Sequence, residues 1–135
     1  MPLTIQLIGS HGAGKTLALS FAVRALKRRG LRVAVIKHSH HAIDLAGTDT
    51  ARYRESRADV VVFAGRETVT FAPVAPRRAA QLVPTDVWLV EGDHRHRWGK
   101  RFAIRRPSDS RAVGRAIVAY ALARLPAPRR PGRGR

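Results

Sequence analysis

The stretch Gly9-Ser-His-Gly-Ala-Gly-Lys-Thr16 decides the fold of this chain. It satisfies the pattern Gly-x-x-x-x-Gly-Lys-Ser/Thr in full, and it follows an alternating, branched segment, Leu3 to Ile8, that predicts a buried strand. Apolar residues then recur at helical spacing from Lys15 to Arg29, and Gly30 marks the end of that helix. A strand, a glycine-rich turn and a helix in this order predict a phosphate-binding loop.

Each residue type in this loop has a part in holding a phosphate chain. Glycines permit the tight curl whose backbone N–H groups point inward and, together with the helix dipole, bind phosphate oxygens. We expect Lys15 to reach the β and γ phosphates and the Thr16 hydroxyl to bind Mg²⁺, which prefers oxygen ligands. The predicted nucleotide-binding residues of the loop are Gly9, Ser10, His11, Gly12, Ala13, Gly14, Lys15 and Thr16.

A magnesium ion on the phosphates also needs a carboxylate from a neighbouring strand. A buried strand is predicted at Asp86 to Val90, and Glu91 follows it directly, so Thr16 and Glu91 are the predicted metal ligands. Asp93 lies two residues further, on the same side of an extended chain, and is the alternative carboxylate.

The rest of the chain continues the alternation of strands and helices. Leu31 to Ile36 is predicted as a second strand, which gives a strand, helix, strand unit with a right-handed parallel crossover. Further strands are predicted at 59–64, 67–71, 86–90 and 102–105, and further helices at 51–57, 77–82 and 110–125. The predicted fold is therefore an α/β domain of the P-loop NTPase type, with a mostly parallel sheet flanked by helices and an added β-hairpin.

The amino-acid composition limits which kinds of partner and which kinds of site the chain can have. The 26 Lys and Arg against 9 Asp and Glu give a formal charge of +17, which attracts nucleotides, nucleic acid or acidic proteins. With no cysteine, a disulfide framework, a thiolate metal site and a Cys nucleophile are excluded.

No apolar run is long enough to cross a bilayer and no export signal is visible, so a cytoplasmic protein without a membrane partner is expected. One domain is predicted over residues 1–125, followed by a disordered basic tail over 126–135 with three Pro, two Gly and four Arg.

A histidine-rich segment follows the second predicted strand. In a parallel α/β sheet this position lies at the carboxyl edge, where ligands bind. We therefore predict that four of its residues border the phosphates: Lys37, His38, His40 and His41. Two alternatives stay open, a solvated polar loop and a transition-metal site, because His94 and His96 repeat the spacing of His38 and His40.

Besides the glycine-rich loop, six further segments of the sequence are distinctive: Val35-Ile-Lys-His-Ser-His-His41, Asp44, Asp49, Tyr53-Arg54, Asp59 to Ala64 and Leu89-Val-Glu-Gly92. Together they resemble the MobB family of molybdenum cofactor biosynthesis, from about Leu3 to Arg106. The resemblance implies a homodimeric, GTP-binding accessory protein. Its partner would be the guanylyltransferase MobA, which converts molybdopterin and GTP into molybdopterin guanine dinucleotide.

The chain departs from the family pattern after the last buried strand. Asp93-His94 stand where the family commonly has Phe-Lys. The cation expected there would come from Arg95, Arg97 or Lys100. Arg106 also runs almost directly into Ser110, so the region between the last strand and the final helix is shortened. Neither departure touches the phosphate-binding loop.

Three functions remain open on the sequence alone: a MobB-like GTP-binding accessory protein, a small P-loop metabolite kinase, and a nucleic-acid-associated ATPase. No Asn-Lys-x-Asp guanine motif occurs, so GTP rather than ATP rests on the resemblance. No arginine finger or water-positioning Gln is identifiable, so at most slow GTP hydrolysis is expected.

The predicted hairpin bears on the oligomeric state. Glu67 to Phe71 alternates after a Gly65-Arg66 turn and is expected to pair with Asp59 to Ala64 as an edge strand. Exposed edges are usually covered. A two-fold partner would cover this one and bury Val69 or Phe71 across the interface.

Overall fold

A computed structural model of the chain describes residues 1–41, 43 and 46–126. These residues group into two compact units, the first formed by residues 1–38 and 80–126 and the second by residues 39–79. Asp44, one of the positions behind the family resemblance, lies outside the described residues. So do residues 127–135 of the predicted tail. The prediction of one domain over residues 1–125 stays a prediction.

The order of elements follows the predicted alternation. The strands are β1 (Leu3–Ile8), β2 (Val33–Lys37), β3 (Val61–Ala64), β4 (Thr68–Phe71), β5 (Val87–Glu91) and β6 (Lys100–Ala103). The helices are α1 (Lys15–Arg28), α2 (Asp49–Glu55), α3 (Pro76–Ala80) and α4 (Ser110–Arg124). In the described part of the chain, no helix has the length and apolar character needed to cross a membrane.

The first unit is built on a four-stranded parallel sheet in the order β2, β5, β1, β6. The predicted strand, helix, strand unit is present, with β1 and β2 in one sheet and β5 inserted between them. Leu7 and Lys37 both lie opposite Glu91 in register. The segments that follow β1, β2 and β5 therefore leave the sheet side by side, at its carboxyl edge.

Helices α1 and α4 cover one face of this sheet and form the main core with it. The α1 residues that recur at helical spacing, Leu19, Ala22 and Leu26, are buried as predicted. A Cβ on Gly114 of α4 would lie 2.9 Å from the backbone oxygen of Ala18, so the two helices approach this closely because that position is glycine. On the other face, Trp88, Val90 and Trp98 form a smaller cluster.

Strands β2, β3, β4 and β5 begin one or two residues later than predicted, and β6 begins two residues earlier. Before β2, the Leu31 N–H donates to the Leu26 carbonyl at 3.2 Å, which completes the end of α1. Before β5, the Asp86 carboxylate accepts from the Arg32 backbone N–H at 2.7 Å and from its guanidinium at 2.9 Å. These bonds to Arg32, the side-chain bond first, lower the pKa of Asp86. The segments that precede β2 and β5 are thus fixed by hydrogen bonds just before they enter the sheet.

The second unit contains α2 and the predicted hairpin. Strands β3 and β4 pair antiparallel, with Val61 opposite Phe71 and Phe63 opposite Val69. The Gly65 N–H donates to the Glu67 carbonyl at 3.1 Å and closes the turn. The hairpin therefore has the pairing that the sequence predicted.

Candidate nucleotide-binding site

The glycine-rich loop between β1 and α1 depends on glycine at three positions. Gly12 and Gly14 have φ of +74° and +93°, a region that residues with side chains rarely adopt. A Cβ on Gly9 would lie 2.6 Å from the Ile104 oxygen, and one on Gly14 would lie 2.8 Å from Cα of Pro107. The loop is thus held tightly against the segment that follows β6, with its curl fixed by backbone geometry.

Lys15 is held against this loop. Its ammonium group donates to the carbonyls of Gly9 at 2.7 Å and Ser10 at 2.9 Å. The Ala13 N–H donates to the Ser10 carbonyl at 3.2 Å, which tightens the turn before α1. The charge of Lys15 is therefore fixed at the loop, at the start of α1.

Thr16 and Glu91, the two predicted metal ligands, lie next to each other. The Thr16 hydroxyl donates to Oε1 of Glu91 at 3.5 Å. Thr16 is the second residue of α1 and Glu91 is the last residue of β5, so the loop and the parallel sheet bring together residues that are far apart in sequence. Two oxygen donors beside a phosphate-binding loop are a donor set that suits Mg²⁺.

Asp93, the alternative carboxylate, is engaged elsewhere. It is 7% exposed, has φ of +58°, and accepts hydrogen bonds from Nε1 of Trp98 at 2.6 Å and Nδ1 of His96 at 2.9 Å. The bond from Trp98, and after it the bond and charge of His96, lower the pKa of Asp93 to about 2, against the opposing effect of burial. Asp93 is therefore held by the side chains of its own segment, whereas Glu91 lies beside Thr16.

Gln6 organises the segment after β5, a role that the sequence motifs do not indicate. It is fully buried, and its Nε2 lies within 3.0 Å of the carbonyls of Gly92, Asp93 and His96. Its Oε1 accepts from Nε of Arg101 at 3.0 Å. The signal in the sequence is a single amide side chain inside the otherwise apolar interior of β1.

A pocket of about 360 Å³ lies at the loop, and its lining residues are His11, Gly12, Gly14, Lys15, Thr16, Leu17, Lys37, Glu91 and Pro107. Lys37 therefore lies beside the loop. His38 lies beside it, where its N–H donates to the Glu91 carbonyl at 3.0 Å.

The other two predicted histidines, His40 and His41, belong to the second unit. Within residues 1–41, 43 and 46–126, no three His, Asp or Glu side chains come together as a metal-binding group. Lys100, one of the three cations considered after β5, lies in β6 with its ammonium group 5.7 Å from the ring centre of Phe102.

A parallel α/β sheet with a glycine-rich loop between β1 and α1 defines this chain as a member of the P-loop NTPase class. Residues 4–122 match the family described as molybdopterin guanine dinucleotide synthesis protein B. The chain belongs to this family, MobB.

Similar proteins agree with this assignment. The molybdopterin-guanine dinucleotide biosynthesis adapter protein of Haemophilus influenzae is 38% identical over 98 residues, 65% of this chain and 55% of that relative. The chain thus matches little more than half of the relative's length. The crystal structure of Bacillus subtilis MobB has the same fold, with a TM-score of 0.59 and 22% identity over 77% of this chain and 68% of that one. A MobB homologue from Bacillus stearothermophilus gives a TM-score of 0.54 and 20% identity, over 83% and 70%.

Proposed function

We propose that this chain is a GTP-binding accessory protein of molybdenum cofactor biosynthesis that assists guanylyl transfer to molybdopterin. The observation that carries the proposal is the loop of residues 9–16, with Lys15 held on it and Thr16 beside Glu91, in a chain of the MobB family. The partner in this proposal is a MobA-like molybdopterin guanylyltransferase. The chain acts as a homodimer, and its location is the cytoplasm, where GTP is made.

The proposed ligands divide between backbone and side chains. The backbone N–H groups of residues 9–16 bind the phosphate oxygens of GTP, and Lys15 adds a positive charge at the β and γ phosphates. Thr16 and Glu91 hold Mg²⁺, which neutralises charge on the phosphate oxygens. Lys37 and His38, which follow one another at the end of β2, border the nucleotide.

Hydrolysis by the chain alone is slow in this proposal. The residues at the loop bind and orient the triphosphate, but none of them is placed by the motif as an arginine finger or a water-positioning Gln. We expect turnover on the order of 10⁻⁴ to 10⁻² s⁻¹, the range of unassisted P-loop proteins. The chain therefore presents GTP to its partner rather than consuming it.

Calorimetric titration with GTP and ATP, each with and without Mg²⁺, tests the nucleotide part. We expect GTP to bind more tightly than ATP and Mg²⁺ to strengthen binding. Glu91→Gln should weaken binding in the presence of Mg²⁺ by about tenfold and change it little without Mg²⁺. Glu55→Gln, the same change at an exposed position of the second unit, is the matched control. Tighter ATP binding, or turnover at tens per second without a partner, would instead favour a kinase or an ATPase.

A coupled assay tests the pathway. A molybdopterin guanylyltransferase is supplied with molybdopterin and limiting GTP, with or without this chain. We expect the chain to raise the initial rate of dinucleotide formation. The Lys15→Ala variant should lose this effect, because it cannot hold the triphosphate. An equal rate with and without the wild-type chain would contradict the accessory role while leaving nucleotide binding intact.

A further inference from the structure

Strand β6 lies at the edge of the parallel sheet. It pairs with β1 on one side, and no strand within residues 1–41, 43 and 46–126 pairs with it on the other. We define the β6 edge as residues Lys100–Ala103 together with Tyr120 and Arg124 of α4. Since the chain between Arg106 and Ser110 forms only a short 3₁₀ turn, α4 follows β6 without a further strand.

The backbone of β6 has hydrogen-bonding groups that face away from the sheet. The Ile104 N–H donates to the Ile8 carbonyl at 3.0 Å, so this residue faces β1. In a parallel pair, alternate residues direct their N–H and C=O groups to opposite sides. The groups of Ala103 and Arg101 therefore point to the outer side, where an extended chain can add as a further strand.

The charge around this edge has one sign. Residues 94–108 include six Lys or Arg residues and two His but no Asp or Glu. Asp109, just beyond this stretch, lies 3.7 Å from Arg106. A second copy of the same edge would place cations against cations, whereas an acidic strand would be attracted.

Aromatic contacts hold two cations of the β6 edge in place, Lys100 and Arg124. The Lys100 ammonium lies 5.7 Å from the ring centre of Phe102 and 5.8 Å from that of Tyr120. The Arg124 guanidinium carbon lies 3.6 Å from the Tyr120 ring centre. The rings of Phe102 and Tyr120 pack edge to face, with their centres 5.9 Å apart. A stacking base would have to displace Arg124 from Tyr120, so the surface suits carboxylates better than nucleic acid.

We propose that the β6 edge binds an extended, acidic segment of a partner protein, which adds to the sheet as a strand beside β6. The outward N–H and C=O groups of Arg101 and Ala103 supply the backbone pairing. Lys100 and Arg124 select carboxylate side chains. This surface is separate from the residues that line the nucleotide pocket.

Fluorescence anisotropy tests the proposal with the full chain and a short labelled peptide in which Glu and Thr alternate. We expect the wild type to bind this peptide. Lys100→Glu should weaken binding by about tenfold or more, because it reverses a charge at the edge. Arg28→Glu, the same kind of reversal at an exposed position of α1, is the matched control and should change binding by less than about twofold.

Two further measurements separate strand addition from general charge attraction. A peptide of the same sequence with alternate backbone nitrogens methylated keeps its charge but cannot complete the backbone pairing, and we expect its binding to be lost. Amide hydrogen exchange of wild-type Ala103 should slow when the unmodified peptide binds. Ala103→Pro should abolish binding, with circular dichroism checking that the variant is folded.

The proposal is overturned by any of three results. These are no binding of the acidic peptide to the wild type, equal binding of the methylated peptide, or unchanged exchange at Ala103 in the complex. Tighter binding of a single-stranded oligonucleotide that depends on Lys100 but is unaffected by Ala103→Pro would assign the surface to nucleic acid instead. Lys15→Ala should leave peptide binding unchanged, so failure here is distinguishable from failure of the nucleotide proposal.

Discussion

The two units of the chain differ in how much apolar surface they bury. In the first unit, Trp88, Leu7 and Leu26 are among the side chains that are fully buried. In the second unit, the buried apolar residues among those described are Ala51 and Val61, whereas its hairpin leaves Phe63 53% exposed. A unit of about 40 residues is near the size below which a core alone rarely suffices.

This difference assigns different tasks to the two units. The phosphate-binding loop, Lys15 and Glu91 all lie on the packed first unit, where a parallel sheet fixes their positions. Ligand sites benefit from such rigid support. The second unit offers exposed apolar side chains on a short hairpin, which suits an interface with a partner.

Leu26→Ala should destabilise the protein most. Leu26 of α1 is fully buried, so the substitution leaves a cavity and should cost about 3 kcal/mol. Val61→Ala in the second unit removes a smaller side chain that is 8% exposed and should cost about 1 kcal/mol. Urea denaturation followed by circular dichroism measures both. Equal losses would contradict the view that the two units differ in packing.

Asp93→Asn should lower the free energy of unfolding by about 1 to 3 kcal/mol near neutral pH, because it weakens buried hydrogen bonds to Trp98 and His96. The pKa of Asp93 is lowered to about 2 in the folded chain, below the value of about 3.9 for an unfolded Asp. Its ionised form therefore stabilises the fold above pH of about 4, and this contribution is lost as the pH falls from about 4 to 2.

The measurement for Asp93 is the urea midpoint as a function of pH. Between pH of about 2 and 4, the wild-type midpoint should rise more steeply with pH than that of Asp93→Asn. Asp59→Asn, at an exposed position of the second unit, is the control and should keep the wild-type slope. Parallel curves for wild type and Asp93→Asn would show that this buried network does not contribute to acid sensitivity.

Lys15→Ala should change stability little and binding greatly. The side chain donates two hydrogen bonds to backbone carbonyls of the loop, so its loss should cost about 1 kcal/mol. GTP affinity should fall by at least about a hundredfold, because the charge at the phosphates is removed. Lys27→Ala, at an exposed position of α1, is the matched control in calorimetry. Unchanged affinity in Lys15→Ala would show that the loop is not the phosphate site.

The sequence predicted the loop, the element order and the β3–β4 hairpin, because these depend on local signals: glycine spacing, helical periodicity and alternation. It predicted that Thr16 and Glu91 lie together, because a magnesium site at a P-loop needs a carboxylate from a neighbouring strand. It did not predict that β5 lies between β1 and β2, since strand order depends on packing between distant segments. It also left Asp93 as the alternative metal-binding carboxylate. The hydrogen bond from Trp98 to Asp93 and the contact of Gln6 with the Asp93 carbonyl appear only in the folded chain.

Phe63→Glu should have the smallest effect on the stability of a single chain, because the side chain is already half exposed. The substitution should instead prevent formation of the proposed homodimer. Phe63 and Val69 lie opposite each other on the hairpin, and Val69 is 39% exposed, so together they offer an apolar surface. Phe71, which the sequence also suggested for the interface, has the Arg54 guanidinium 4.5 Å from its ring centre.

Light scattering at physiological salt and with GTP present measures the oligomeric state. Repulsion between two chains of charge +17 is then limited to charges within a Debye length of about 8 Å. We expect a mass of twice 14.9 kDa for the wild type and of 14.9 kDa for Phe63→Glu. Leu82→Glu, at an 82% exposed apolar residue of the first unit, is the matched control and should stay dimeric. A wild type of 14.9 kDa would refute the dimer, and a Leu82→Glu monomer beside a Phe63→Glu dimer would move the interface to the first unit.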